Sequence, residues 1–458
     1  MNYHVLCFYD IARCVVGRLL MNLPKGFLSH LIAVLLTTSV FAGESNPTRL
    51  SNGNQIEQGL LQCQKAYGAD DLPKLRERLE SLNMDIENRG ILTLTNYPGK
   101  LITGYAYKEF YDWDLYFENL YLSYYGISDF CFSNFKAFMA SQQPGGFIPR
   151  MLRRQNIQMF KPFLAQIAVL GSRQRGNDFE WLRALYYDQL RRYIDCWFAY
   201  DFDHNGLPVW DSSDASGMDN QKSRSGELHS YQTEGVDLAC ELHRELQAMA
   251  VIAEQLGKPA DQKEWTIKAQ KLADAINTNL WDEKDGFYYD RNEKTGSPIK
   301  VKSVAGFFPL WAGVASPSRA KRLIEEHLTN PKEFWTKWPV ASYALTEPDF
   351  YEGSHHECNW RGPCWVPINY MIMHGLMYYG YKDIARDLAQ HTYKMALDEN
   401  PVTREYYDSD TGKGNGMNPF WGWSSLAYVM PIDVELGCDP MNLTGEVRPL
   451  LKGSGAGR

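Results

Sequence analysis

The stretch TEGVDLACELHRELQAMAVIAEQLG at 233–257, followed after one residue by PADQKEWTIKAQKLADAINTNLW at 259–281 and then by DEKDGFYYD at 282–290, decides the reading of the fold. Each of the first two segments repeats apolar residues at i, i+3, i+4 and i+7, the spacing that lines one face of an α-helix. The Asp-Gly pair at 285–286 is a turn signal, and aromatic residues follow it. The same arrangement occurs upstream, where helical EWLRALYYDQLRRYIDCWFAY at 180–200 leads into DFDHNGLPVW at 201–210. Further helical periodicity covers 70–89, 112–126, 316–328, 363–380 and 381–397, with weaker stretches near 128–141, 157–170, 301–311 and 422–437. That makes about twelve paired helices, while strand-like alternation is scarce. No Pro/Gly/Ser-rich linker divides residues 60–440, so one domain is expected. The fold class is all-α, an (α/α)6 barrel or toroid, with alternating inner and outer helices and a site built by loops at one end.

Composition narrows the function. The chain has 458 residues, 44% of them hydrophobic and 22% charged, which excludes disorder and a multispan membrane protein. Lys and Arg total 47 against 55 Asp and Glu, for a net charge of −8. No basic run supplies the counterion-release drive that nucleic-acid binding needs. With 13 Trp and 28 Tyr, the chain carries more aromatic surface than a core requires, and flat aromatic faces suit sugars.

One strongly apolar run stands out, FLSHLIAVLLTTSVFA at 27–42, with Lys25 ahead of it. It reads as a signal-peptide core with cleavage after Ala42, too short for a stable spanning helix. Met21 opens a more conventional signal than Met1, so residues 1–42 are a leader with a start at Met21 as the alternative, and 43–458 are the single catalytic domain. The mature protein is expected to be exported, periplasmic or secreted, with no membrane span. Seven cysteines follow the leader: Cys63, Cys131, Cys196, Cys240, Cys358, Cys364 and Cys438. An odd number scattered through a long chain favours buried thiols, with a Cys358–Cys364 bridge as the alternative. His355, His356, Glu357 and Cys358 are too crowded in sequence to converge on one metal ion.

Four clusters combine carboxylates with Trp, Tyr, Gly and Asn: Tyr111-Asp112-Trp113-Asp114; Ser216 to Asn220; Asn359-Trp360-Arg361-Gly362-Pro363; and Arg404-Glu405-Tyr406-Tyr407 leading to Phe420 to Ser424. Glycosidic hydrolysis needs one carboxylic acid to protonate the leaving oxygen, one carboxylate to activate water or attack carbon, and aromatic faces to hold the ring. Each candidate has a plainer reading. Asp114 fits a helix N-terminal charge, Asp219 a turn former, Glu405 half of an ion pair with Arg404, and Arg361 a loop brace. Glu234, Glu241 and Glu245, at near-helical spacing, read as a solvated face. Asp201, Asp203, Asn205 and Gly206 match the opening of a calcium loop, but Ser212 stands where a bidentate Glu belongs, and the same letters make a tight turn.

The motifs resemble a known family. GYAYKEFYDWDLYFENL at 104–120 resembles the first signature of trehalases. SGMDN at 216–220, NWRGPCWVPINY at 359–370 and REYYDSDTGKG at 404–414 with FWGWSS at 420–425 resemble segments of glycoside hydrolase family 63, including its compact mannosylglycerate and glucosylglycerate hydrolases. The four matches keep the family's order from about Gly104 to Val429. The resemblance implies a six-hairpin glycosidase barrel that inverts an α-linked glucose or mannose, with a small carbohydrate as substrate and no cofactor or metal. It places the general acid on Asp219 and the general base on Glu405, and it places substrate contacts on Tyr111, Trp113, Asp114, Trp360, Arg361, Gly362, Trp365, Trp421 and Trp423. Two other classes stay in play: a sugar-binding protein without catalysis, and an (α/α)6 lyase or isomerase using His229 and Tyr231.

Overall fold

Burial sorts the helices into two alternating rings. The computed structural model describes residues 67–105, 108–154, 158–212, 214–224, 232–351, 358–399 and 402–443. Among these run twelve α-helices: α1 (Asp71–Asp85), α2 (Asp112–Ser123), α3 (Asp129–Ala140), α4 (Leu164–Gln174), α5 (Tyr186–Phe198), α6 (Val236–Gln255), α7 (Pro259–Asn279), α8 (Phe308–Trp311), α9 (Pro317–Arg322), α10 (Val366–Tyr378), α11 (Lys382–Asp398) and α12 (Met430–Leu436). The even-numbered helices are enclosed on every side: each residue of α2 is buried, as is α10 from Val366 to Leu376. Odd-numbered helices bury one stripe, which in α7 is Trp265, Ala269, Leu272, Ala273 and Ile276.

The even helices close a circle. α2 packs on α4, α4 on α6, α6 on α8, and α8 on α10, while the 3-10 turn Trp423–Tyr428 leading into α12 touches both α10 and α2. Outside it, α3 leans on α4, α7 on α6, and α11 on both α10 and α12. The inner ring and outer ring are those of the (α/α)6 barrel. The strands are short ribbons. β1 (Ile91–Leu94) pairs with β2 (Tyr97–Ile102), β3 (Thr233–Glu234) with β6 (Arg291–Asn292), β4 (Trp281–Asp282) with β5 (Phe287–Tyr288), and β7 (Tyr406–Tyr407) with β8 (Gly414–Asn415). The Asp-Gly turn at 285–286 closes the β4–β5 hairpin, with Gly286 at φ +67.

Several boundaries differ from the sequence expectation. The helix expected at 180–200 breaks into a 3-10 turn, Glu180–Leu182, and α5, and the break lets Trp181 give its indole N–H to Ser172 Oγ at 2.9 Å. The one expected at 157–170 starts only at Leu164, because Pro162 disfavours helical backbone at the residue before it. Glu234, Glu241 and Glu245 are corrected more sharply, since none is exposed. They sit within or beside α6, an inner helix enclosed all round, so its charged stripe faces the barrel interior. Glu245 accepts from the Ala165 and Gln166 amides at 2.6 and 3.2 Å, satisfying orphan donors at the start of α4.

Leu50–Arg458 groups as one compact unit. The expected leader at 1–42 and Cys63 lie outside the described residues. Among the described residues no helix is long and apolar enough to cross a membrane.

Candidate active site

The site sits where the inner helices begin. Tyr111 is extended, with φ −102 and ψ 161, and α2 starts immediately after it. Asp112 Oδ1 accepts from the Trp113 amide at 2.8 Å and Oδ2 from the Lys161 amide at 3.1 Å. Asp112 thus takes a helix-terminal amide, while Asp114, also in the first turn of α2, faces a cavity. Burial holds the Asp114 carboxyl well above its usual range. Asp112 and Glu405 push the same way, and Arg150 opposes them.

Asp219 lies on the loop that precedes α6. Gly217 has φ +70 and packs on Trp113 so closely that a Cβ there would come within 2.8 Å of the indole. Asn220 fixes the end of the loop. Its Oδ1 accepts from the Trp360 amide at 2.6 Å, and its carbonyl accepts from Arg361 Nε at 2.6 Å. Arg361 is thus the loop brace of the plainer reading, with Asp349 as its ion-pair partner at 3.4 Å.

Glu405 is 7% exposed and stands just before β7. Its expected surface partner Arg404 pairs with Glu399 instead, at 3.4 Å. Glu405 Oε2 accepts from the Met417 amide at 2.7 Å, and the preceding Gly416, at φ +72, leaves room that a Cβ would remove, 2.5 Å from that oxygen. The Cys358 Sγ donates to Glu405 Oε1 at 3.6 Å and also hydrogen-bonds Asp219. One thiol therefore spans the gap between the two carboxylates. Burial and both carboxylates push that thiol's pKa up, so it stays protonated and can donate.

These groups share a cavity of about 330 Å³, at the small end of the ~300–1,000 Å³ range of small-molecule sites. Asp219 and Glu405 line it, as do Asp114, Tyr111 and an aromatic wall of Trp113, Trp360, Trp365 and Trp423. Trp360 and Trp365 stack with centroids 3.8 Å apart. The Trp360 Nε1–H is buried with no acceptor among the described residues. Arg361, Gly362 and Trp421 are not among the lining residues. The Gly362 amide donates to Ser342 Oγ at 3.1 Å, and Trp421 Nε1–H reaches the Thr103 carbonyl at 2.5 Å.

Sequence reasoning missed Arg150, Met151, Gln158, Asp214 and Cys358, which also line the cavity. Arg150 bonds the Asp214 carbonyl at 2.7 Å and lies 3.5 Å from Asp112. Cys358 was within reach, being one residue ahead of the NWRGPCW cluster. The others sit on loops without a motif.

Asp203 belongs to a tight turn. Its Oδ2 meets Arg291 at 3.0 Å, while Asp201 Oδ2 accepts from the Gly206 amide at 3.0 Å, which is the tight-turn reading. Cys364 Sγ donates to the Trp338 carbonyl at 2.7 Å, so no Cys358–Cys364 bridge forms. His355, His356 and Glu357 fall outside the described residues, as do His229 and Tyr231.

A profile of the family described as the mannosylglycerate hydrolase MGH1-like glycoside hydrolase domain matches residues 107–424. A mannosylglycerate hydrolase of Thermus thermophilus is 35% identical over 186 residues, 40% of either chain. The cytosolic neutral trehalase of Kluyveromyces lactis is 32% identical over 154 residues, 32% of this chain and 20% of that one. The matches to the mannosylglycerate hydrolases span about two fifths of the length of those curated relatives. The crystal structure of a GH63 mannosylglycerate hydrolase from Thermus thermophilus in complex with glucose superposes at a TM-score of 0.62 and 21% identity, over 78% of this chain and 99% of that one. A neutral trehalase of Saccharomyces cerevisiae does so at 0.57 and 17% identity, over 77% and 79%. Both likenesses establish the fold.

Proposed function

Because the chain belongs to the mannosylglycerate hydrolase MGH1-like glycoside hydrolase family, we propose that it is an exported, inverting enzyme that releases a terminal α-linked mannose or glucose from a small glycoside. The observation that carries this reading is the placement of Asp219 and Glu405 on one small aromatic-walled cavity, with a single thiol spanning the gap between them. That glycoside hydrolase relatives surround the chain leaves no reason to prefer a binding protein or a lyase.

In this reading Asp219 protonates the glycosidic oxygen while Glu405 takes a proton from water on the opposite face of the ring. The Met417 amide stabilises the ionised form of Glu405 that a base requires. Trp113, Trp365 and Trp423 supply faces for the sugar, and the spare Trp360 N–H is a donor for one hydroxyl. Asp114, buried at the wall, accepts from others. The name mannosylglycerate hydrolase carried by the relatives points to an aglycone bearing a carboxylate, and Arg150, beside Asp112 at 3.5 Å, is the described lining residue able to face it. Export rests on the apolar run at 27–42.

The test is a paired assay of α-mannosyl- and α-glucosylglycerate against the uncharged glycerol glycosides, followed by NMR of the anomeric proton in the first minutes. The expected result is faster turnover of the glycerates and β-sugar appearing first. Initial α-sugar would exclude inversion and the roles given to both carboxylates.

A further inference from the structure

Behind the aromatic wall lies a fully buried cation that no step above uses. Lys161 is without solvent exposure, and it follows Phe160 on the segment that leads into α4. Its Nζ donates to the Ser216 carbonyl at 2.8 Å, stands 2.9 Å from Glu241 Oε1, and lies 3.7 Å from the centroid of Trp113. Its backbone is tied as firmly. The amide donates to Asp112 Oδ2 at 3.1 Å, and the carbonyl accepts from the Tyr193 hydroxyl at 2.6 Å.

A buried ammonium is costly unless its donors are met, and the three partners here belong to three different elements. Ser216 is on the loop that carries Asp219, three residues on. Trp113 is a cavity wall on α2. Glu241 is on α6. Gly217, next to Ser216, packs closely on Trp113, so the loop is held by both an indole and an ammonium. Moving the Ser216 carbonyl away from Lys161 would leave an unpaired buried charge, and moving Trp113 would give up a cation–π contact. We infer that Lys161 is a positioning residue for the reaction: it sets the place of the Asp219 carboxyl relative to the Trp113 wall, and Glu241 serves as its counter-ion.

The inference rests on the reading of Asp219 as the general acid, and leaving-group chemistry separates the two. A misplaced acid slows glycosides whose leaving group must be protonated and spares an α-glycosyl fluoride, whose leaving group departs without that proton. The variants are K161M/E241M, which removes both buried charges together and so avoids an orphaned ion, with K161Q/E241Q as a second pair should the first not fold. The expected result is a kcat on the unactivated α-glycoside lowered at least ~10-fold in the double variant, with the fluoride within about 2-fold of wild type. Equal loss on both substrates, or wild-type turnover at an unchanged melting temperature, would overturn the positioning role. If D219N itself shows no preference for the fluoride, the acid reading of Asp219 fails, independently of Lys161.

Discussion

The two ends of the inner ring hold cavities of similar size, about 330 Å³ where the helices begin and about 280 Å³ where they end. What differs is how the polar groups around them are employed. At the far end Arg244 directs its guanidinium to the Trp311 and Met441 carbonyls at 3.3 and 2.8 Å and to Gln166 at 3.3 Å, while its face covers the Trp311 ring. His374 there leans on Asp433 at 3.2 Å, and Asp433 in turn accepts from the Tyr124 hydroxyl at 2.6 Å. Arg244 and Asp433 are spent on protein partners. At the near end, Asp114, Asp219 and Glu405 point into the same space, and the Trp360 N–H is left without an acceptor among the described residues. Volume alone does not make a site; convergent carboxylates beside flat aromatic faces do.

The largest expected effect breaks this comparison if it is wrong. Asp219→Asn and Glu405→Gln should each lower kcat at least ~10²-fold with little change in melting temperature, because proton transfer is lost while volume is kept. Arg244→Gln at the far end should do the reverse, leaving kcat within about 2-fold while lowering the melting temperature, since three buried acceptors lose their donor. Kinetics and thermal melts on the three variants decide it. A kinetic loss in Arg244→Gln matching that of the carboxylates would mean the two ends are coupled.

A smaller effect sharpens the role of the near end. Asp114→Ala should raise KM roughly 10-fold with a lesser change in kcat, if that carboxyl grips a sugar hydroxyl in the ground state as well as in the transition state. Unchanged steady-state constants in a variant that melts earlier would return Asp114 to the helix-terminal role, which the structure gives to Asp112.

The two-ring architecture was legible because helical periodicity and the Asn-Gly and Asp-Gly turns at 205–206 and 285–286 are local signals. The clusters at 111–114, 216–220, 359–365 and 404–423 mark loops at one end because each flanks the start of an inner helix. Which side of a helix is outside was not legible. Glu234, Glu241 and Glu245 have the spacing of a solvated stripe, and only closure of the ring makes that stripe interior. Arg361 and Trp421 were drawn into the site by their neighbours in sequence. A loop residue next to a lining residue often faces the opposite way, and these two brace the Asn220 and Thr103 carbonyls from behind. Arg150 and Gln158 carried no motif, and three-dimensional convergence alone brings them to the cavity.

The belt of buried acids between the two ends yields the smallest expected effect, and its sign follows from burial. Desolvation raises Glu245 to about 8 and Glu234 to about 7. In the unfolded chain each returns to the ordinary Glu value of about 4.3. Between those limits the folded state binds more protons than the unfolded one, so stability is complete below pH ~4 and declines as pH rises toward 8. The melting temperature should therefore fall from pH 5 to pH 8, opposite to the trend set by carboxylates held in surface ion pairs. Glu245→Gln should flatten this slope without altering kcat, because the neutral amide cannot ionise and keeps one acceptor oxygen for the start of α4. A melting temperature that rises over that range would show that these carboxyls are already charged in the fold, with Arg291 and the α4 amides outweighing the cost of burial.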